Sequence, residues 1–72
     1  MRPEQIAAAA LDKLGQDRYK LALIVAKRAK QLEAGAKPTL EHLDTQFDKL
    51  SDIALEEIAR GKIDLESFTE AA

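Results

Sequence analysis

Side chains able to do covalent or metal chemistry are few in this chain of 72 residues. His42 is the single histidine, cysteine is absent, and the only serines are Ser51 and Ser67. His42 stands between Glu41 and Leu43, with no further ligands at helical or turn spacing. It reads as a solvated loop histidine rather than a metal ligand or general base. Neither serine has a histidine near it in the expected fold, and no glycine-rich phosphate loop is present. The many carboxylates are expected on an exposed helix face, where they form a solvated surface and not an acid/base pair. On this reading the chain has no catalytic residues of its own, no cofactor and no metal.

A more pointed pair is Arg28 and Glu57. On a helical wheel Arg28 falls at the edge of an apolar stripe, between Ile24 and Leu21. Glu57 falls inside an apolar arc, between Ile53 and Leu50. If the two helices pack antiparallel, these opposite charges meet. The alternative is that each reaches solvent on its own aliphatic stem.

The elements that must position them follow from periodicity and caps. Pro3 suits the first turn of a helix whose face is Ile6, Ala7, Ala10, Leu11 and Leu14, with Gly15 as its stop. Asp17 is a suitable N-cap for a second helix that ends near Ala34, with Gly35 as a left-handed cap. In that helix Leu21, Ala22, Val25, Ala26, Ala29 and Leu32 form one continuous stripe. Tyr19 and Leu23 widen it, and Ile24 falls well outside it on the other side. Apolar groups on so much of the circumference predict a second surface buried by a partner, so part of the set Tyr19, Leu23, Ile24 and Leu32 is expected to be exposed. Residues 36–45 read as a loop, in which Lys37 precedes Pro38 and is biased away from helix. Thr39 or Thr45 is placed to cap a short turn there. A third helix is expected from about Gln46 to Arg60, lined by Phe47, Leu50, Ile53, Ala54, Leu55 and Ile58. Gly61 ends it, and Asp64 can cap a final short turn carrying Phe68. The fold class is all-α: a small three-helix domain with a short helical C-terminal tail, residues 1–72 forming one domain.

Composition excludes several classes. A chain this short buries only about 60% of its unfolded surface. Without disulfides or a metal, association is the remaining support for so small a core. Hydrophobic residues make up 46% of the chain, too many for disorder throughout. No apolar run approaches the ~20 residues of a membrane span, and MRPEQ leads into alanines without a cleavage pattern. A cytoplasmic location is expected. The formal net charge of −2 hides a basic middle and an acidic end. Residues 17–37 carry Arg18, Lys20, Lys27, Arg28, Lys30 and Lys37 against Asp17 and Glu33, whereas residues 41–72 are mostly acidic. Mutual neutralisation of the two segments is the simpler reading. A helix-turn-helix is disfavoured, because the segment between the second and third helices exceeds a turn of ~3–4 residues. The would-be recognition helix is also acidic and would repel phosphate.

In order and spacing these features resemble the omega subunit family of bacterial RNA polymerase. Gly15 and Asp17-Arg18-Tyr19 begin the likeness. The string Leu23-Ile24-Val25-Ala26-Lys27-Arg28-Ala29-Lys30-Gln31-Leu32 resembles that family's hydrophobic-Ala-x-Arg-Ala-x-Gln-hydrophobic core. Asp48-Lys49, Ile53-Ala54-Leu55-Glu56-Glu57-Ile58 and Gly61-Lys62-Ile63 resemble its second block, and the likeness covers roughly residues 6–63. The resemblance implies a non-catalytic accessory subunit of a nucleotidyltransferase complex. Such a subunit binds the largest, beta-prime subunit and promotes its folding, assembly and stability in transcription. The partner-binding or motif residues it implies are Arg18, Tyr19, Leu23, Ile24, Arg28, Gln31, Leu32, Glu57 and Ile58, and no direct nucleic-acid contact is expected. One departure concerns the alarmone guanosine tetraphosphate, which some members hold through a basic N-terminus. Here the start is Met1-Arg2-Pro3-Glu4, which displaces the arginine, removes a backbone donor and adds a negative charge, so that site is not carried over. The alternative from another class is a free-standing small helical regulator or antitoxin-like interaction protein.

Overall fold

The helix signals in the sequence are realised in a computed structural model that describes residues 2–69. Met1 and residues 70–72, included in the single-domain reading, lie outside the described residues. Among those described there are four helices and no strand: α1 Pro3–Lys13, α2 Arg18–Glu33, α3 Leu50–Ala59 and the short α4 Glu66–Thr69. Pro3 opens α1, and Gln5 Oε1 accepts from the Arg2 N–H at 2.9 Å. The chain leaves α1 through Gly15 and Gln16, both with positive φ, and the left-handed Gln16 directs its N–H back to Leu11 O at 2.9 Å. Asp17 caps α2 by accepting from Lys20 N–H at 2.9 Å, which satisfies one of the orphan donors of the first turn. Asp64 does the same for the tail, accepting from Glu66 N–H at 3.0 Å. Among the described residues no helix is long and apolar enough to cross a membrane.

α3 is the central element. α1 and α2 each pack along it and barely touch one another. The core has two layers. One gathers Ala10, Ile24, Ile58, Ala59 and Phe68; the other gathers Leu32, Ile53 and Ala54, with Leu43 and Leu50 packed against them. Ile24 thus meets the C-terminal half of α3 and Leu32 its N-terminal half, so α2 and α3 run antiparallel.

Two expectations are corrected. The inward face of α2 is rotated toward Ile24: Ile24, Arg28 and Leu32 are buried, whereas Ala22 and Ala26 are exposed. The apolar stripe on the wheel counted alanines equally with larger side chains. Burial favours area, and an Ile removes far more apolar surface from water than an Ala. The third helix begins at Leu50 rather than Gln46, and Phe47, expected to line the core, is 82% exposed. Here Asp44 and Asp48 divert the backbone. Asp44 Oδ1 accepts from Gln46 N–H at 2.8 Å and Asp48 Oδ2 from Asp44 N–H at 2.9 Å, so side chains compete with helical bonding and hold a turn.

The rotated face predicts that Ile24 outweighs the alanines beside it. Ile24→Ala should destabilise the chain by about 2–5 kcal/mol, whereas Ala26→Ser should change it by under about 0.5 kcal/mol. Chemical denaturation followed by circular dichroism reads both.

Candidate functional site

Between the two apolar layers lies the ion pair. Arg28 is one turn from Ile24 and one turn from Leu32, so its side chain can enter only where α2 faces α3. Glu57 comes from the facing side of α3. Arg28 Nε donates to Glu57 Oε1 at 2.6 Å and Nη2 donates to Oε2 at 2.9 Å. This is the two-pronged geometry that suits a guanidinium and a carboxylate. The side chains are 9% and 0% exposed. Two further bonds engage the guanidinium: Nη1 donates to Gln31 Oε1 at 2.9 Å and Nη2 to Lys37 O at 3.2 Å. Glu57 Oε2 also accepts from the Thr39 N–H at 2.8 Å and from Thr39 Oγ1 at 3.1 Å. Thr39, one of two threonines placed to cap a short turn, ties the loop to Glu57. No buried side-chain polar atom among the described residues lacks a partner.

Burial alone would push the Glu57 carboxyl up. The bonds from Arg28 and Thr39 outweigh it and hold the group below the usual carboxylate range. The Arg28 guanidinium is raised, first by its hydrogen bond to Glu57, against the opposing effect of burial. Both groups are charged at neutral pH.

Glu56 also turns inward, contrary to the expectation of a wholly solvated acidic face. Its Oε2 lies 2.9 Å from His42 Nε2 and accepts from Arg60 Nε at 2.8 Å. Burial raises this carboxyl, while the bonds from Arg60 and His42 bring it below its ordinary value. His42 therefore fastens the loop to α3. Sequence reasoning missed Glu56 because its partner arrives along an irregular loop whose path no periodicity reveals.

The outward features are of a different kind. Tyr19 is 78% exposed, Leu23 is exposed on the same side of α2, and Arg18 and Gln31 are also exposed. Ile24, Leu32 and Ile58 are buried, so within the folded chain they serve the core. Because α1 and α2 diverge over α3, an apolar groove of ≈ 980 Å³ opens between them. Its walls are Ala7, Ala8, Leu11 and Ala22, its floor includes Val25 and Leu55, and Asp12, Gln16 and Arg18 stand at its polar edge. Among the described residues no three His, Asp or Glu side chains cluster as a metal site would require.

Comparison with known proteins says to which family this helical scaffold, with its internal ion pair and outward apolar groups, belongs. Residues 11–65 match the family model RNA polymerase Rpb6. Over all 72 residues the chain is 61% identical to the DNA-directed RNA polymerase subunit omega of Campylobacter lari, covering 99% of that protein. It is 57% identical over 70 residues to the Campylobacter curvus subunit of the same name, covering 97% of each chain. To that of Helicobacter pylori it is 52% identical over 69 residues, covering 96% of this chain and 92% of the other. The chain belongs to the RNA polymerase omega (Rpb6) family. No solved structure matches it.

Removing one partner of a buried pair leaves the other charge uncompensated. Arg28→Ala and Glu57→Ala should each cost about 3–5 kcal/mol, and the double variant well under their sum. Glu57 binds its proton less tightly folded than unfolded. Its contribution is therefore complete above about pH 4.3, the ordinary glutamate value, and is lost as pH falls through the lower folded value. In acid titrations of stability, Glu57→Gln should flatten this limb; an unchanged limb would assign acid sensitivity to other carboxylates.

Proposed function

We propose that the chain is the non-catalytic omega subunit of a bacterial DNA-directed RNA polymerase, binding the largest, beta-prime subunit and promoting its folding and assembly. The observation that carries this reading is the 61% identity along the whole chain to a protein named as that subunit. Its physical support is the division between an internally satisfied scaffold and an outward apolar face. Ile24, Arg28, Leu32, Glu57 and Ile58 fix the relation of α2 to α3. Arg18, Tyr19 and Leu23 are exposed on α2 and available to a partner, while Gln31, also exposed, accepts from Arg28.

Docking on this face acts through area. Covering one large apolar side chain is worth about 1.5–3 kcal/mol. A groove walled by alanines lets the partner's backbone come close, because little side chain intervenes. A subunit that binds only the folded form of its partner shifts that partner's folding equilibrium by mass action. No bond is made or broken in this role, consistent with a chain whose buried charged groups, Arg28, Glu56 and Glu57, are occupied in holding the fold. The chemistry of nucleotidyl transfer belongs to the complex it joins.

Affinity purification of the tagged chain from its own cells tests this. Beta-prime should be recovered at about one-to-one with the tagged chain. The purified chain alone should show no nucleotide incorporation. Tyr19→Ala combined with Leu23→Ala should reduce recovery of beta-prime without lowering the melting temperature. Recovery of the tagged wild-type chain without any polymerase subunit would overturn the reading.

A further inference from the structure

Phe47 is the most exposed large apolar side chain among the described residues, at 82%. The turn that carries it is built without the ring. Asp44 O accepts from Phe47 N–H at 3.0 Å and from Asp48 N–H at 2.9 Å. The Asp44 and Asp48 carboxylates take two more backbone donors of the same turn. The flanks are anchored as well. On one side Thr39 and His42 bond to α3 and Leu40 is buried; on the other α3 itself begins at Leu50. The phenyl ring is therefore held out on a fixed turn, where the fold gains nothing from it. An aromatic group already ordered in a projecting position loses little freedom when a partner covers it.

The surroundings of the ring give the chemistry of what covers it. From residue 41 to residue 52 the charged side chains are Glu41, Asp44, Asp48 and Asp52 against Lys49, and Glu41, Asp44 and Asp52 are exposed. His42 in the same segment turns to Glu56. The segment that carries the ring is acidic around an apolar projection. At the opposite end of the α2–α3 pair Tyr19 and Leu23 stand beside Lys20 and Lys27, with Asp17, whose carboxylate caps α2, as the acid of that patch. The two are separated by most of the length of α2, about 24 Å for sixteen residues.

We propose that Phe47 is a second anchor for the polymerase, inserted into an apolar cleft of the largest subunit whose rim carries lysine or arginine. This rests on the assembly role proposed above and adds a separate contact to it. Basic groups at the rim pair with Glu41, Asp44 and Asp48, and a guanidinium can lie against the ring face. Contacts of opposite charge at the two ends also fix the direction in which the chain lies, because reversing it would set like charges together.

The test uses the full chain and polymerase core reconstituted without it, with affinity read by surface plasmon resonance and folding by thermal melting. Phe47→Ala should weaken binding at least about tenfold, as expected of an aromatic anchor, with the melting temperature unchanged. Glu41→Gln with Asp48→Asn should slow association several-fold at low salt and converge on the wild type at high salt. The Asn keeps an oxygen to accept from Asp44. A photo-crosslinking phenylalanine analogue at position 47 should link to the largest subunit next to lysine or arginine. If the wild-type chain fails to bind, the assembly role falls. If the wild type binds and Phe47→Ala binds equally well, or if Phe47→Ala also lowers the melting temperature, the anchor assignment is overturned.

Discussion

The structure depends on one constraint: a guanidinium and a carboxylate have been placed inside a core too small to hide either alone. An isolated buried charge is too costly for so short a chain to tolerate. Arg28 and Glu57 must therefore meet, and meeting fixes the register of α2 against α3. One carboxylate cannot use all five donors of an arginine, so Gln31 and the Lys37 carbonyl take others. The lone pairs left on Glu57 call for donors, and Thr39 brings two. The loop after α2 is drawn across α3 because the ion pair needs its backbone. A hydrophobic pair in the same place would ask nothing of the loop.

With α2 and the loop committed in this way, α1 is left the flank of α3 beside α2. It packs there through Ala10 and Ile6 and hardly reaches α2. The groove between α1 and α2 follows from this arrangement, not from any special feature of its lining. Alanine makes the groove shallow-walled and apolar. Three helices of this length cannot close over it, which is the geometric content of a small domain's poor ratio of interior to surface. The apolar excess visible in the composition is thus distributed in two ways: as a groove, and as single side chains such as Tyr19 and Phe47 projected outward.

Much of this was legible in the sequence, for physical reasons that also mark where it stopped. Local rules place the helices: Pro3, Asp17, Gly15 and Asp64 act through nearest neighbours and were readable directly. The Arg28–Glu57 contact was readable because a charge inside an apolar arc has few destinations. The orientation of α2 was not. A wheel counts positions, whereas packing weighs volumes, and Ile24 with Arg28 and Leu32 outweighs three alanines. The start of α3 was not readable either. Phe47 lies three residues before Leu50 and continues its periodicity backwards, so the pattern looked helical. Only the side chains of Asp44 and Asp48, bonding to backbone over four residues, decide for a turn. Glu56 and His42 depend on a loop path set by Thr39, two steps of tertiary structure away from any local signal.

The same division explains what the resemblance to omega subunits rests on. Ile24, Arg28, Leu32, Glu57 and Ile58 lie in the two strings that carry the likeness, and all are buried. Those strings describe how α2 and α3 are locked together, a problem with few solutions. Phe47 falls just before the Asp48-Lys49 match and outside both strings. A surface position is free of the core's volume and pairing constraints; what restricts it is the shape and charge of whatever it meets. The interior positions of the likeness thus describe the scaffold, while Asp17, Arg18, Tyr19, Leu23 and Gln31, which also belong to it, are exposed. At Phe47 the chain's own folding makes no demand on the ring, so the contact proposed for it can be tested without disturbing the scaffold.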